Sequence, residues 1–468
     1  MLKKGYNFHP INDYDKFVMT KTKYGATTMP QSNRLLAITP QEFVKYLNDK
    51  KIRKFYLVYD KKNRKVISSH KELKPLADFL NADKRDFNSH EGLFFRVSEK
   101  YNTLQGAFIH RTNRGQAAGG VRYWSYETME DYIRDGLRLA KGMTHKNALA
   151  GLWWGGGKGV MAHNPAHSKK DAKIRESLYK EYGKFMSSLK GCYVTAEDVG
   201  TNVNDMANIF STTRFTTCIP EKLGGSGNPS VPTARGVVAG MEAAVKFLYN
   251  SGLEGKTIAI QGAGNVGRPL VKFLFEKKVK KIIVCDIFPE NIELLKKQFG
   301  SKKLEAYVVS KTDTSVFEKE CDIISPCATG AIINTDTISK IKAKIICGAA
   351  NNQLEDPDRD SKALHKKGIL YIPDFLTNRM GIVTCANEQY GYIDNDPFIE
   401  MHLDKNWKYS IYKTSLDMLK ESARTKQPTA KVAVKIADKL SLVNHPIFGH
   451  RGEEIINALV KNKWHTAE

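Results

Sequence analysis

The run from Lys256 to Asp286 most constrains what this chain can fold into. Lys256-Thr-Ile-Ala-Ile-Gln261 reads as an apolar strand. Gly262-Ala-Gly-Asn-Val-Gly267 follows at once, ahead of a helix predicted over Arg268 to Lys277. Alone, such a glycine pattern is weak; between a strand and a helix it is specific. Gly262, Gly264 and Gly267 allow a tight turn, the approach of a pyrophosphate and the packing of helix on sheet. Asn265 and Val266 complete the loop, and the helix N-terminus offers free N–H groups to phosphate. The next strand ends at Asp286, about 20 residues on, where an acid can bond a ribose 2′-hydroxyl. Ile287 and Phe288 offer no cation to a 2′-phosphate. The expected cofactor is therefore NAD rather than NADP.

Apolar strands recur at Asp322–Ala328, Lys344–Asn352 and Ile369–Asp374. Strands alternating with helices predict a parallel, doubly wound sheet, an α/β fold. Asn351 and Asn352 fall at strand ends, where they serve either a cofactor or a turn. Upstream, Gly224-Gly-Ser-Gly-Asn-Pro-Ser-Val-Pro232 reads as a hinge. Thr233 is placed to cap a helix over 235–249.

The second informative stretch is Leu152-Trp-Trp-Gly-Gly-Gly-Lys-Gly-Val-Met-Ala-His-Asn-Pro165. Glycines let the backbone press close to a ligand. A lysine held at the bottom of a crevice loses basicity, because burial disfavours its charge. Such a lysine can exchange protons near neutral pH; a solvated loop lysine is the alternative. Lys146 lies twelve residues earlier, after a helix predicted over Glu127–Lys141 that gives way near Gly142. Gly119-Gly-Val-Arg-Tyr-Trp124 is another glycine cluster beside a basic residue. Tyr193-Val-Thr-Ala-Glu-Asp-Val-Gly-Thr201 runs from a strand into a loop, with Asp198 at the strand's end. That position suits either function or a turn.

At 468 residues, two or three domains are expected. The expected divisions are 1–90, an accessory extension with a hairpin over 54–68; 91–228, the substrate domain; 229–374, the dinucleotide domain; and 375–468, helices over 402–425 and 428–440 that return to the substrate domain. No window is apolar enough for a membrane helix. The N-terminus lacks a secretory core, and Asp13 and Asp15 are atypical of a mitochondrial presequence. A cytoplasmic location is expected, with a mitochondrial one left open. Seven dispersed cysteines without a CxxC pair read as free thiols, and no metal is expected. The net charge of +23 raises the question of nucleic acid. The lysines, however, are spread along the whole chain, without a basic run or a zinc-finger or RNA-binding signature, and read as a solvated surface.

Together these motifs resemble the glutamate/leucine/phenylalanine/valine dehydrogenase family over roughly residues 90–395. Leu152–Pro165 fits the family's lysine signature, Ala196-Glu-Asp-Val-Gly-Thr201 with Asp205-Met206 its aspartate region, and Gly262–Gly267 its nucleotide loop. The segments at 119–124, 139–148 and 226–237 look most like leucine dehydrogenases. The resemblance implies a two-domain fold, a homo-oligomer, and oxidative deamination of an L-amino acid to a 2-oxo acid and ammonium with NAD. By the same carry-over Lys146 holds the α-carboxylate, Lys158 polarises the oxo group and activates water, and Asp198 moves protons to and from the amine. Ala118, Gly119, Gly120, Ile382 and Cys385 belong to the substrate pocket. Thr233, Ala328, Asn351 and Asn378 join the glycine loop and Asp286 in the cofactor site. Glutamate enzymes of the family carry lysine at the place of Ala118 and serine at that of Cys385. Neither Ala118 nor Cys385 can pair a buried carboxylate, so an apolar substrate is expected, leucine-like or aromatic. Asn378-Arg-Met-Gly-Ile382 departs from the family's Asn-Ala-Gly-Gly-Val, and Arg379 and Met380 are expected to crowd the substrate and nicotinamide. The alternatives are a glutamate dehydrogenase with altered recognition and a catalytically silent NAD-binding regulatory protein.

Overall fold

Three almost wholly apolar runs, Phe55–Val58, Gly92–Val97 and Leu104–Ile109, sit in one sheet and bury both faces. The computed structural model describes residues 31–391, 393 and 395–466. Residues 1–30, with the N-terminal segment read above for targeting, lie outside the described residues.

The first half contains α1 (Gln31–Ala37), α2 (Pro40–Asp49), β1 (Lys54–Asp60), β2 (Lys65–Ser68), α3 (Lys74–Ala82), β3 (Gly92–Val97), β4 (Leu104–Arg111), β5 (Ala117–Ala118) and β6 (Val121–Trp124). Then come α4 (Met129–Leu149), β7 (Gly155–Ala162), α5 (Ala172–Ser188), β8 (Tyr193–Val194) and α6 (Val203–Phe210). The strands form one mixed eight-stranded sheet in the order β2-β1-β3-β4-β7-β5-β8, with β6 also on β7. Pairing is antiparallel from β2 to β7, and parallel between β7 and both β5 and β6 and between β5 and β8.

Two expectations change here. Residues 54–82 are not a module apart from the sheet that follows. β1 pairs with β3 from Lys54↔Arg96 to Val58↔Gly92. Phe55 stacks on Phe95 with ring centroids 4.5 Å apart, and Leu36, Phe43, Leu57, Phe108 and Tyr132 share one core. Nor does α4 end near Gly142. It runs on to Leu149, so Lys146 lies in its last turn. One glycine does not stop a helix whose Leu137, Ala140, Ala148 and Leu149 are buried.

The second half contains α7 (Ser230–Tyr249), β9 (Thr257–Gln261), α8 (Gly267–Glu276), β10 (Lys281–Asp286), α9 (Pro289–Phe299), β11 (Leu304–Val308), β12 (Ile323–Pro326), α10 (Thr335–Lys340), β13 (Ile345–Cys347), α11 (Pro357–Lys366) and β14 (Leu370–Ile372). Its six strands run β11-β10-β9-β12-β13-β14, all parallel. This is the doubly wound dinucleotide order, reversing beside β9. Helix α7 starts at Ser230, five residues before the expected 235, so Thr233 lies in its first turn instead of capping it. The Thr233 hydroxyl donates to Pro229 O at 2.8 Å.

The remaining helices are α12 (Asp374–Thr377), α13 (Met380–Glu388), α14 (Pro397–Met401), α15 (Ile411–Thr425), α16 (Thr429–Ser441) and α17 (Arg451–Lys461). Residues 402–410, expected as helix, are irregular; Asp404 there accepts from the amides of Asn406 and Trp407. Helix α15 packs on α7, and α16 returns to α4, where Arg111 reaches Asp438 at 2.9 Å. Among the described residues no helix is long and apolar enough to cross a membrane. All seven cysteines are free.

Candidate active site

The triple glycine forms no turn. Gly155–Ala162 is the central strand β7, buried along its whole length. Helix α4 lies directly on it. A Cβ on Gly156 would sit 2.0 Å from Thr144 Oγ1 and 2.2 Å from Thr144 N. The Asn147 side chain donates to Gly155 O at 2.5 Å. Strand and helix end are thus locked together, and each contributes a lysine.

Lys158 leaves β7 with only 3% of its surface exposed. Its Nζ lies 2.8 Å from Asp198 Oδ1. The aspartate follows β8 in a loop fastened by Thr201, whose Oγ1 accepts from Asp198 N at 2.8 Å. Gly120 permits the approach, since a Cβ there would stand 2.4 Å from Glu197 O and 2.8 Å from Asp198 Cβ. Arg122, from β6, donates through Nε to Asp198 Oδ2 at 3.1 Å, and through Nη1 to both oxygens of Asp135 at 2.9 and 3.0 Å.

Burial pulls the Lys158 ammonium below its ordinary value, against the opposing charge of Asp198. Burial pushes Asp198 up, but Lys158 and Arg122 outweigh it and hold the carboxyl well below the usual carboxylate range. Lys146 is brought down to about 8 by burial, with Asp374 opposing and Lys158 adding to the shift. Asp374 is itself buried and pushed up; its Oδ2 accepts from Asn352 N at 3.0 Å and its Oδ1 from Tyr371 Oη at 3.2 Å. One weakened lysine is therefore tied to an aspartate, and a second stands among the charges of Asp374, Lys158 and Asp198. The sequence marks Arg122 only as a basic residue two positions past Gly120, with no partner, and gives no signal for Asp135, because one aspartate in an amphipathic helix carries no spacing.

The other expected substrate residues fall as follows. Ala118 lies in β5 between Gly156 and Val194. Gly119 is needed for packing, as a Cβ there would lie 2.0 Å from Gly157 O. Cys385 and Ile382 are buried on α13, and Cys385 Sγ is 2.7 Å from Cys218 Sγ. Trp154 is buried, whereas Trp153 turns outward over Arg114, 4.3 Å from ring centroid to guanidinium. The expected crowding by Arg379 does not occur. Its fully buried guanidinium donates to Leu149 O at 2.7 Å and to Tyr409 O.

On the dinucleotide side, Gly262 has φ +99° and a Cβ there would meet Ala328 Cβ at 2.9 Å. Gly264 faces open space, and a Cβ on Gly267 would lie 1.9 Å from Gly262 O. Val266 precedes the first residue of α8, and Asn265 completes the loop. Asp286 accepts from Ala263 N at 2.6 Å and Phe288 N at 2.9 Å. Asn378 donates to Ala349 O at 3.0 Å and Asn351 Oδ1 at 2.8 Å, while its own buried Oδ1 has no partner. An open glycine bend over a helix N-terminus, with an acid fixed at the neighbouring strand end, fits a dinucleotide.

A profile of the Glu/Leu/Phe/Val dehydrogenase dimerisation domain matches residues 94–215, and one of the Glutamate/Leucine/Phenylalanine/Valine dehydrogenases matches 224–439. The chain belongs to the glutamate/leucine/phenylalanine/valine dehydrogenase family. Among family members, leucine dehydrogenase of Bacillus subtilis (strain 168) is 43% identical over 312 residues, covering 64% of this chain and 82% of its own. Phenylalanine dehydrogenase of Lysinibacillus sphaericus is 37% identical, covering 72% and 84%. The crystal structure of L-tryptophan dehydrogenase from Nostoc punctiforme superimposes with a TM-score of 0.62 at 33% identity, over 75% of this chain and 96% of that one. As a member of this family the chain is an amino-acid dehydrogenase, an oxidoreductase acting on CH–NH2 groups.

Proposed function

We propose that this protein uses NAD to deaminate an apolar L-amino acid oxidatively, giving the 2-oxo acid and ammonium, as a homo-oligomer. The observation that carries the reading is the 2.8 Å contact between Lys158 Nζ and Asp198 Oδ1, made within a family of dehydrogenases. The apolar preference rests on Ala118 and Cys385, which offer no cation or hydroxyl to a side-chain carboxylate. Leaving such a charge buried and unpaired costs several kcal/mol. The matched dimerisation domain supports association of copies.

The chemistry divides among the residues as follows. NAD, which the Gly262–Gly267 bend and Asp286 would hold, would supply the acceptor for the hydride leaving the substrate α-carbon. Lys146 pairs with the α-carboxylate and orients the substrate. Lys158, made less basic by burial, takes a proton at Nζ from the water that hydrates the imine. Asp198 accepts and returns protons at the amine nitrogen, and Arg122 keeps it ionised. Asp286 would accept from the ribose hydroxyls.

The test is NADH formation with a panel of L-amino acids. Leucine or phenylalanine is expected to turn over and glutamate not; turnover of glutamate alone overturns the reading. Lys158→Ala and Asp198→Asn each lower kcat by about 10²–10⁴-fold, with NADH binding kept within about twofold. Near-native turnover in either variant removes that residue from its role.

A further inference from the structure

We propose that Arg379 is a positioning residue for Lys146, fixing the last turn of α4 against the Asn378 edge of the dinucleotide domain. It thereby sets where the substrate carboxylate is held. This rests on the reading above that Lys146 receives that carboxylate.

Arg379 is among the largest fully buried side chains of the protein. Among the described residues it forms no ion pair with a carboxylate. A buried charge in that condition is costly unless its hydrogen bonds are good. Here the two terminal nitrogens each reach a backbone carbonyl, while the buried Nε has no partner. Nη1 donates to Leu149 O at 2.7 Å, and Nη2 donates to Tyr409 O. Leu149 is the last residue of α4, whose terminal carbonyls lack helical partners and carry partial negative charge. The guanidinium supplies the missing donor and the missing charge together. Its planar fork also holds the two carbonyls at a set separation, which an ammonium cannot do.

Lys146 belongs to the same turn; its carbonyl accepts from Ala150 N at 3.1 Å. On its other side the turn is held by Asn147, through the 2.5 Å bond to Gly155 O. The residue before Arg379 faces the opposite way. Asn378 Nδ2 bonds Ala349 O and Asn351 Oδ1, beyond the end of β13. One peptide step thus grips the helix that carries Lys146 on one side and the cofactor edge on the other.

The test measures binding of 4-methyl-2-oxopentanoate to the enzyme–NADH complex, and of NADH alone, by NADH fluorescence. The proteins are native, Arg379→Met, Arg379→Lys, Lys146→Ala and the double variant Lys146→Ala/Arg379→Met. Arg379→Met is expected to weaken oxo-acid binding about tenfold and NADH binding less than twofold. Arg379→Lys, which keeps one donor, is expected to lose three- to fivefold. In the Lys146→Ala background, Arg379→Met adds less than about twofold, because the two changes act on one contact. Equal weakening of both ligands, or the full Arg379 effect persisting without Lys146, overturns the proposal. If Arg379→Met does not fold, native-like oxo-acid binding by Arg379→Lys overturns it equally. If Lys146→Ala binds the oxo acid as well as the native protein, the carboxylate role fails first and this one with it.

Discussion

Lys146 carries the clearest residue-scale prediction. Burial brings its ammonium down to about 8. A lysine pairs with a carboxylate only while protonated, so affinity for a 2-oxo acid is highest below that value. It falls about tenfold for each further unit of pH. Isothermal titration across pH 6 to 10 reads this directly, since the oxo acid does not itself titrate there. In Lys146→Arg the decline disappears, because a guanidinium stays charged; a flat native profile removes Lys146 from the carboxylate. At this scale the sequence points to Lys158 and Asp198 because each sits in a motif with several constrained neighbours. It is silent on the partners of Arg122, on Asp135 and on the contacts of Arg379. Their partners are 13 to 230 positions away and are set by packing alone.

At the scale of elements, α4 and β7 show why some glycines are legible and others are not. The sequence takes Gly142 as a helix stop and leaves the glycines at 155–157 open to either a crevice wall or a solvated loop. In the fold Gly142 sits within the helix with nothing inside 4 Å of an added Cβ, whereas Gly156 is pressed against Thr144. Local sequence cannot separate the two, since tertiary contact decides which glycine is structural. Gly142→Ala is therefore expected to stabilise the protein by about 0.5–1 kcal/mol. Gly156→Ala forces backbone apart from backbone and is expected to cost about 2 kcal/mol or more, with loss of oxo-acid binding. Urea denaturation monitored by circular dichroism measures both; similar effects from the two substitutions refute the distinction. Of the parallel sheet, by contrast, five of the six strands are readable from 256 to 374; the edge strand β11, LEAYV and only partly buried, is not. Each of those five runs is short and apolar.

At the scale of the molecule, the chain passes from the first half to the second through the stretch before α7, where the sequence reads a hinge over Gly224–Pro232. What fastens it is Glu388, whose buried carboxylate accepts from Ser226 N and Ser226 Oγ at 2.7 Å each. Glu388→Ala frees this connection, and limited proteolysis is expected to cut between 219 and 228 at least several-fold faster; an unchanged cleavage rate refutes the restraint. The domain boundary near 90 is the feature least legible in advance, because residues 31–82 carry no catalytic motif yet share a core with β3, β4 and α4. The family's own profile begins only at residue 94. A shortened protein designed on that profile, starting at 91, would strip β1 from β3 and leave Leu93, Phe94 and Phe95 along a bare strand edge. Exposed edges of that kind recruit other chains. Such a truncate is expected to precipitate on expression, while one starting at residue 31 stays dispersed, as sedimentation of the two lysates would tell.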